Sequence, residues 1–403
     1  MKKLVYFGMI IPEPESTAAG KRTIQLFKLL QEMGCSISFL STALPTEFSF
    51  PLQENNIAYY PIKLNDSSIS KLLKELSPEV VIFDRFITEE QFGWRVAQDL
   101  PDSLRILDSQ DLHFLRKARE SSYFKGKDLE NINYNTDIFK REIASIYRSD
   151  LTLIISQYEM NLLQNQYNIP SSILFYLPLF YHVKKSSIEF EQRANFMTIG
   201  NFLHQPNFQT CLKIKKIWPL LKAKIPHASM HIYGAYPNQQ VLNLDDQKND
   251  FRIKGRAIDK YELYENYRVQ LSPIPFGAGL KGKILESMAY GLPFVTTPQG
   301  IEGIYNIDKS SQEYPQSDQE IIEKAVLLYT NKEMWIKNQL EGYKTIERDF
   351  DRENYVGKLQ STIKNLLENL NSHRSLNIIG SVLSYHSFKA SKYFSRWIEE
   401  KNK

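Results

Sequence analysis

Apolar residues fall into short runs separated by longer stretches of helical period. Leu4-Val5-Tyr6-Phe7 is one such run, followed by a loop rich in Pro, Glu, Ser and Gly through Gly20. Ile24, Leu26, Phe27, Leu29, Leu30 and Met33 then recur at helical spacing, and Gly34 stands where a helix end takes a left-handed residue. Cys35-Ser36-Ile37-Ser38-Phe39-Leu40 alternates as a strand. Strand, loop, helix and strand in that order predict a parallel-sheet unit, the opening of a doubly wound α/β fold. Further strands are expected at 80–83, 105–107 and 151–155, and their near-continuous apolar character requires cover on both faces.

A polar stretch over 183–194 precedes a second series of strand-like runs at 196–199, 229–233, 269–272 and 294–297, with helices expected at 207–224 and 319–347. The pattern divides the chain into an N-terminal α/β domain (1–185), a second α/β domain (186–365) and a helical tail (366–403), with a cleft between the two domains. In the tail, after a helix expected at 352–370, residues Ile379, Val382, Leu383, His386, Ala390, Tyr393, Phe394 and Trp397 share one helical face, with Lys389, Lys392 and Arg396 among the rest.

At 403 residues the chain has the length for two domains. Its net charge of +4 is unevenly spread: residues 371–403 carry six Lys/Arg against two Asp/Glu, while the remainder carries 44 of each. The body is neutral, which argues against nucleic acid as a partner. Cys35 and Cys211 are too few for a disulfide framework and have no metal-ligand spacing, so a reducing, cytoplasmic setting is expected. Pro12, Glu13 and Glu15 interrupt the N-terminus before a signal-peptide core forms, and no apolar run reaches the ~18 residues of a membrane span. The basic amphipathic tail could lie at the inner face of a membrane or dock on the body, and Tyr393, Phe394 and Trp397 suit either.

The stretch from Pro275 to Val295 carries the candidate chemistry. Small residues Gly277-Ala278-Gly279 let a loop approach a ligand closely, and the helix that follows offers unpaired N–H groups to an anion. Lys281 and Lys283 stand in the first helical turn, where cations oppose the helix dipole unless an anion compensates. Glu286 follows one turn later and can accept hydrogen bonds from a ribose diol. Alone, the same residues would read as surface charges with a Lys283–Glu286 ion pair.

The whole run, Gly277-Ala278-Gly279-Leu280-Lys281-Gly282-Lys283 through Glu286 to Gly291-Leu292-Pro293, resembles the donor site of GT-B glycosyltransferases of the family-4 type (glycosyl transferases group 1). Thr296 to Ile304, with Gly300-Ile301-Glu302-Gly303, is similar to the segment after that family's next strand. Gly200-Asn201-Phe202 with Pro206-Asn207, and Lys254-Gly255-Arg256, resemble its opening loop and base-contacting turn. The resemblance implies two Rossmann-like domains facing a cleft. Lys281 and Lys283 would hold the donor diphosphate and stabilise the leaving group, Glu286 the ribose, and Gly200 and Asn201 the phosphate cleft. Arg256 would lie near the base or phosphate, or in a surface ion pair, and Glu302 on the donor side. Ala278 replaces a Glu that many relatives place against the transferred sugar, leaving that contact to the backbone of Gly277, Gly279 and Leu280.

On the N-terminal side, the 14–22 segment is similar to the family's small-residue loop after the first strand, which assigns Ala19, Gly20 and Arg22 to the acceptor side. Asp108-Ser109-Gln110-Asp111-Leu112-His113 resembles the segment that presents a His or Asp to the cleft. His113 then either contacts the transferred sugar or sits on a structural face behind an Asp111 helix cap. Ser156 and Glu159 read as a capping box, and Asp351 as a helix cap. The implied activity is transfer from a nucleoside-diphosphate sugar to a hydroxyl of a glycan, lipid-linked or protein acceptor, retaining and without a metal or other cofactor. A non-catalytic nucleotide-sugar-binding protein and a nucleotide-sugar epimerase share the architecture.

Overall fold

The computed structural model of the chain describes residues 2–127, 129, 132–305 and 314–402. The first sheet has seven parallel strands in the order β3-β2-β1-β4-β5-β6-β7: β1 (Lys2–Gly8), β2 (Cys35–Ser41), β3 (Ile57–Pro61), β4 (Val80–Asp84), β5 (Leu104–Asp108), β6 (Leu151–Ile154) and β7 (Leu174–Tyr176). Tyr6 pairs with Phe39 on one side and Ile82 on the other. Alternate residues of β1 feed opposite faces, Leu4 and Tyr6 entering one core cluster and Val5 and Phe7 another. Both faces are covered, as the unbroken apolar runs required.

The second sheet is β10-β9-β8-β11-β12: β8 (Ala194–Ile199), β9 (Met230–Tyr233), β10 (Phe251–Gly255), β11 (Tyr267–Ser272) and β12 (Phe294–Thr296). In each sheet the strand order reverses beside the domain's first strand. Doubly wound sheets open a crevice there, outside the carboxyl ends of the strands. The two crevices face each other and form the cleft.

Strands β3, β7 and β10 are absent from the sequence expectations, and all three are edge strands. An edge strand is covered incompletely, so it needs no apolar run; β10 reads Phe-Arg-Ile-Lys-Gly. The first helix begins at Ala18, earlier than the loop-rich sequence suggested, because Thr17 accepts a hydrogen bond from Gly20 N (2.9 Å) and caps it. Gly34 is left-handed at its end (φ 83°). The helix expected at 319–347 is two, Asp318–Thr330 and Lys332–Asp349, broken where Asn331 caps the second by accepting from Met334 N (3.0 Å).

The chain returns to the first domain after Phe350. Leu359, Ile363 and Leu366 of the Glu353–Glu368 helix pack in the same core cluster as Leu4 and Tyr6, so this segment belongs to the N-terminal body and not to the second domain.

The tail docks with the face opposite to the apolar one. The Ile378–Lys401 helix packs on the Arg85–Asp99 and Asp137–Arg148 helices, presenting Gly380, Ser384, Ser387, Ser391 and Ser395 inward. A Cβ on Gly380 would lie 2.2 Å from the Tyr147 carbonyl oxygen, so only glycine permits this approach. Among the described residues no helix is long and apolar enough to cross a membrane.

Candidate active site

The cleft between the domains encloses about 670 Å³. Its floor is the loop from Ile274 to Lys281, which leads from β11 into the Gly282–Ala289 helix. Opposite stands the N-terminus of the Ala18–Glu32 helix; a Cβ on Gly282 would come within 3.1 Å of Ala18 Cβ. Two helix N-termini therefore meet in one crevice, each with unpaired N–H groups and the positive end of its dipole.

Lys281 and Lys283 are held at this junction by neutral partners. Lys281 Nζ donates to the Gly279 carbonyl (2.8 Å), and Lys283 Nζ to Asn207 Oδ1 (2.7 Å). Burial lowers the pKa of both: the Lys283 ammonium is pushed down to about 8, while Glu302, Glu159 and Asp111 partly offset the effect at Lys281. Two ammonium groups without a carboxylate bonded to them are placed for an anion. Asn207 also donates to the Asn201 carbonyl (2.8 Å), and its side chain lies where a Gly200 Cβ would be (2.6 Å). Gly200 must be glycine for Asn207 to reach Lys283.

Glu286 lies one turn beyond Lys283, accepting from Lys21 Nζ (2.9 Å) across the cleft and from Tyr264 OH (3.1 Å). Burial would raise its pKa, but Lys21, Lys260 and these hydrogen bonds prevail and keep the carboxyl below its ordinary value. An ionised carboxylate has about four lone-pair sites, so roughly two stay open for a diol.

The remaining candidates divide. Ala19, Asn201, Arg256, Gly277, Gly279, Leu280 and Asp111 line the cleft. Among the described residues Arg256 makes no ion pair; its guanidinium stacks over Phe48 of the first domain, 4.0 Å from the ring centre. Gly20 lies beneath the cleft against the Glu13 backbone, and Arg22 is buried in an ion pair with Asp108 (2.8 Å). Both support the loop after β1 without lining the cleft. Asp111 does not cap the His113–Phe124 helix; Glu142 does, accepting from His113 N (3.0 Å) and Phe114 N (2.8 Å). Asp111 instead pairs with Arg116 (2.6 Å) and His113 Nε2 (3.3 Å), and the His113 ring meets Phe86 edge-on, outside the cleft lining.

Glu302 is committed elsewhere. Arg119 of the first domain grips it with two hydrogen bonds of 2.7 Å and donates to the Gly277 carbonyl (2.8 Å). The expected capping box at Ser156 is not formed: Ser156 makes no cap hydrogen bond, and Glu159 Oε1 accepts from Leu112 N (3.0 Å) and from Gly279 N (2.8 Å) in the other domain. Burial raises the Glu159 pKa to about 7. Gly279 is left-handed (φ 63°), and a Cβ there would lie 3.0 Å from Asp111 Cβ. Ala278 packs against the first domain's core. Sequence reasoning missed Lys21, Arg119 and the bridging role of Glu159. It also missed Arg85, Gln110 and Tyr236, cleft residues with φ of 67°, 64° and 56°; strained backbone of this kind concentrates at functional sites.

Residues 193–331 match the family described as glycosyl transferases group 1. The second domain is a glycosyltransferase group 1 domain. Around it the whole chain has the GT-B fold. It is similar to sucrose-phosphate synthase from Thermosynechococcus elongatus (TM-score 0.67, 12% identity, 91% of this chain and 100% of that one). It is also similar to the pneumococcal O-GlcNAc transferase GtfA in complex with UDP and GlcNAc (TM-score 0.65, 12% identity, 91% and 99%). A third similarity is to WaaG, a glycosyltransferase involved in lipopolysaccharide biosynthesis (TM-score 0.62, 10% identity, 89% and 98%). A comparison with curated proteins by sequence finds no match. In the group 1 domain, among the described residues, no group of three or more His, Cys, Asp or Glu side chains could hold a metal ion.

Proposed function

We propose that the chain is a glycosyltransferase that moves a sugar from a nucleoside-diphosphate sugar, bound by the group 1 domain, to an acceptor hydroxyl presented by the first domain. The observation that carries this reading is that Lys281, Lys283 and the start of the Gly282–Ala289 helix all line the same cleft, with Glu286 a turn away. The C1–O bond to the diphosphate breaks, its electron pair stays on the phosphate oxygen, and a bond from C1 to the acceptor oxygen forms as the acceptor's hydroxyl proton passes to the departing phosphate oxygen. Charge therefore develops at the phosphate, where the two ammonium groups and the helix dipole stabilise it without reorganising. Because these groups supply the positive charge, the reading includes no divalent metal. Retention of configuration, a cytoplasmic setting and a role in glycan biosynthesis belong to the same proposal; the acceptor class is a glycan, lipid-linked or protein hydroxyl.

The test is a thermal-shift titration with UDP, GDP, TDP and CMP in EDTA, since a ligand that binds only the folded state raises its apparent stability. One diphosphate should raise the melting temperature clearly, and Glu286→Ala should reduce that shift. No shift with any of the four, from folded protein, would sink the donor site.

Affinity for that diphosphate should also depend on pH. Lys283 titrates at about 8 in the free protein, and the anion requires it charged. Affinity should be level below that pH and fall about tenfold per unit above it. Isothermal titration calorimetry across this range reads the slope; a flat profile through pH 9 would remove Lys283 from the site.

A further inference from the structure

The tail helix turns Gly380 and its serines toward the body, with Phe388 among them beside Gly93 and Arg148, and leaves most of its large side chains exposed. Tyr385 (61% exposed), Tyr393 (65%), Phe394 (63%) and Trp397 (57%) all stand in solvent, together with Ile379 and Val382. The opposite face is fastened to the body. Asn377 Nδ2 donates to the Tyr147 carbonyl (2.8 Å), Arg148 reaches Ser387 Oγ (3.3 Å), Arg95 reaches Ser395 Oγ (3.4 Å), and Glu399 accepts from Ser67 N (3.0 Å). The helix cannot turn its aromatic face inward without breaking all four contacts. Exposure of that face is a property of the docked state.

The charges on this face select its partner. Lys389 lies over the Tyr385 ring (3.8 Å) and Lys401 near the Trp397 ring (5.2 Å), while Arg396 is exposed between them. The cores of protein interfaces are depleted in lysine. A helix that lies in a lipid interface has the composition seen here: Trp, Tyr, Phe and aliphatic residues directed outward, with Lys and Arg beside them to meet headgroup phosphates. The stripe is one helix wide and, at 1.5 Å per residue, roughly 36 Å long. That shape suits insertion into a planar surface.

We propose that the Ile378–Lys401 helix is a docking face for an anionic lipid surface, held rigidly on the outside of the acceptor-side domain. The helix beneath it, Arg85–Asp99, starts at Arg85 in the cleft wall, so docking would bring the membrane to the same domain that presents the acceptor. The surface is independent of the transfer reaction, and its test does not use turnover.

The chain has four tryptophans. Trp94, Trp218 and Trp335 are buried, and Trp397 is exposed. Its emission can therefore report on the face directly. The full chain should bind phosphatidylcholine vesicles containing phosphatidylglycerol at least about tenfold more tightly than pure phosphatidylcholine vesicles, from the contributions of several cations. Emission should shift to the blue, and brominated lipids should quench it. Lys389→Glu with Arg396→Glu should erase the preference for phosphatidylglycerol, and Tyr393→Ser with Phe394→Ser should abolish flotation with vesicles. Neither pair touches the body-facing side, so circular dichroism and the melting temperature should stay as in the wild type. Absence of vesicle binding by the wild type, or binding that both variants retain, would overturn the proposal. So would light scattering that shows a dimer which Tyr393→Ser with Phe394→Ser dissolves, since a second copy would then be the partner.

Discussion

Replacing Lys283 by methionine is expected to lower the rate of sugar transfer about 10²–10³-fold, the usual consequence of removing one preorganised group from a site of developing charge. The same change should leave the ligand-free protein at least as stable as the wild type. Lys283 is held by an amide oxygen with no carboxylate bonded to it, and burial pushes its pKa down to about 8. The folded state is thus unfavourable for the charge it keeps. Methionine fills a similar volume without that charge, so the site loses function and the fold loses a strain. The sign can be checked by pH. A lysine with a folded pKa near 8 and an unfolded one of 10.5 releases its proton first in the folded state. Its contribution to stability therefore rises between those values, and the variant should lack this rise. Melting temperature against pH and initial rates with the donor chosen by thermal shift check the two halves separately. A variant that loses activity and stability together would mark Lys283 as a structural residue.

The site was legible where its residues are close in sequence. Lys283 and Glu286 lie on one helix and Lys281 and the glycine turn immediately precede it, so their proximity follows from spacing, while the ligand assigned to them came from the family resemblance. Asn207 is different: the Pro206-Asn207 pair is visible in the sequence, but its bond to Lys283 spans 76 residues. Lys21 reaches Glu286 over 265 residues, and Arg119 reaches Glu302 over 183. The last two pairings depend on how two domains face each other, and none of the three leaves a periodic trace. The tail shows a second limit. Its apolar stripe was visible in the sequence, but the usual inference that such a stripe faces the core is reversed here. Gly380 and a line of serines form most of the seam, with Phe388 packed beside Gly93 and Arg148, and most of the large residues remain outside.

Arg119→Ala should destabilise the chain by about 3–5 kcal/mol, because it leaves the largely buried Glu302 carboxylate without its cation. The pair is well shielded, with side chains 7% and 14% exposed, and joined by two parallel hydrogen bonds. A hydrophobic pair can replace such an ion pair at little cost, so Arg119→Leu combined with Glu302→Leu should recover most of the lost stability in urea unfolding. Diphosphate affinity should not recover. Arg119 also donates to the Gly277 carbonyl (2.8 Å), fixing the donor loop against the first domain, and leucine cannot make that bond. A double variant that is stable yet binds the diphosphate weakly would separate the two roles of Arg119. Full recovery of affinity would mean that Gly279 N bonded to Glu159 (2.8 Å) positions the loop unaided. Arg119 stands behind the residues that line the cleft, so its effect on binding has to pass through the loop, and the clasp that joins the domains is then also what sets the geometry of the diphosphate site.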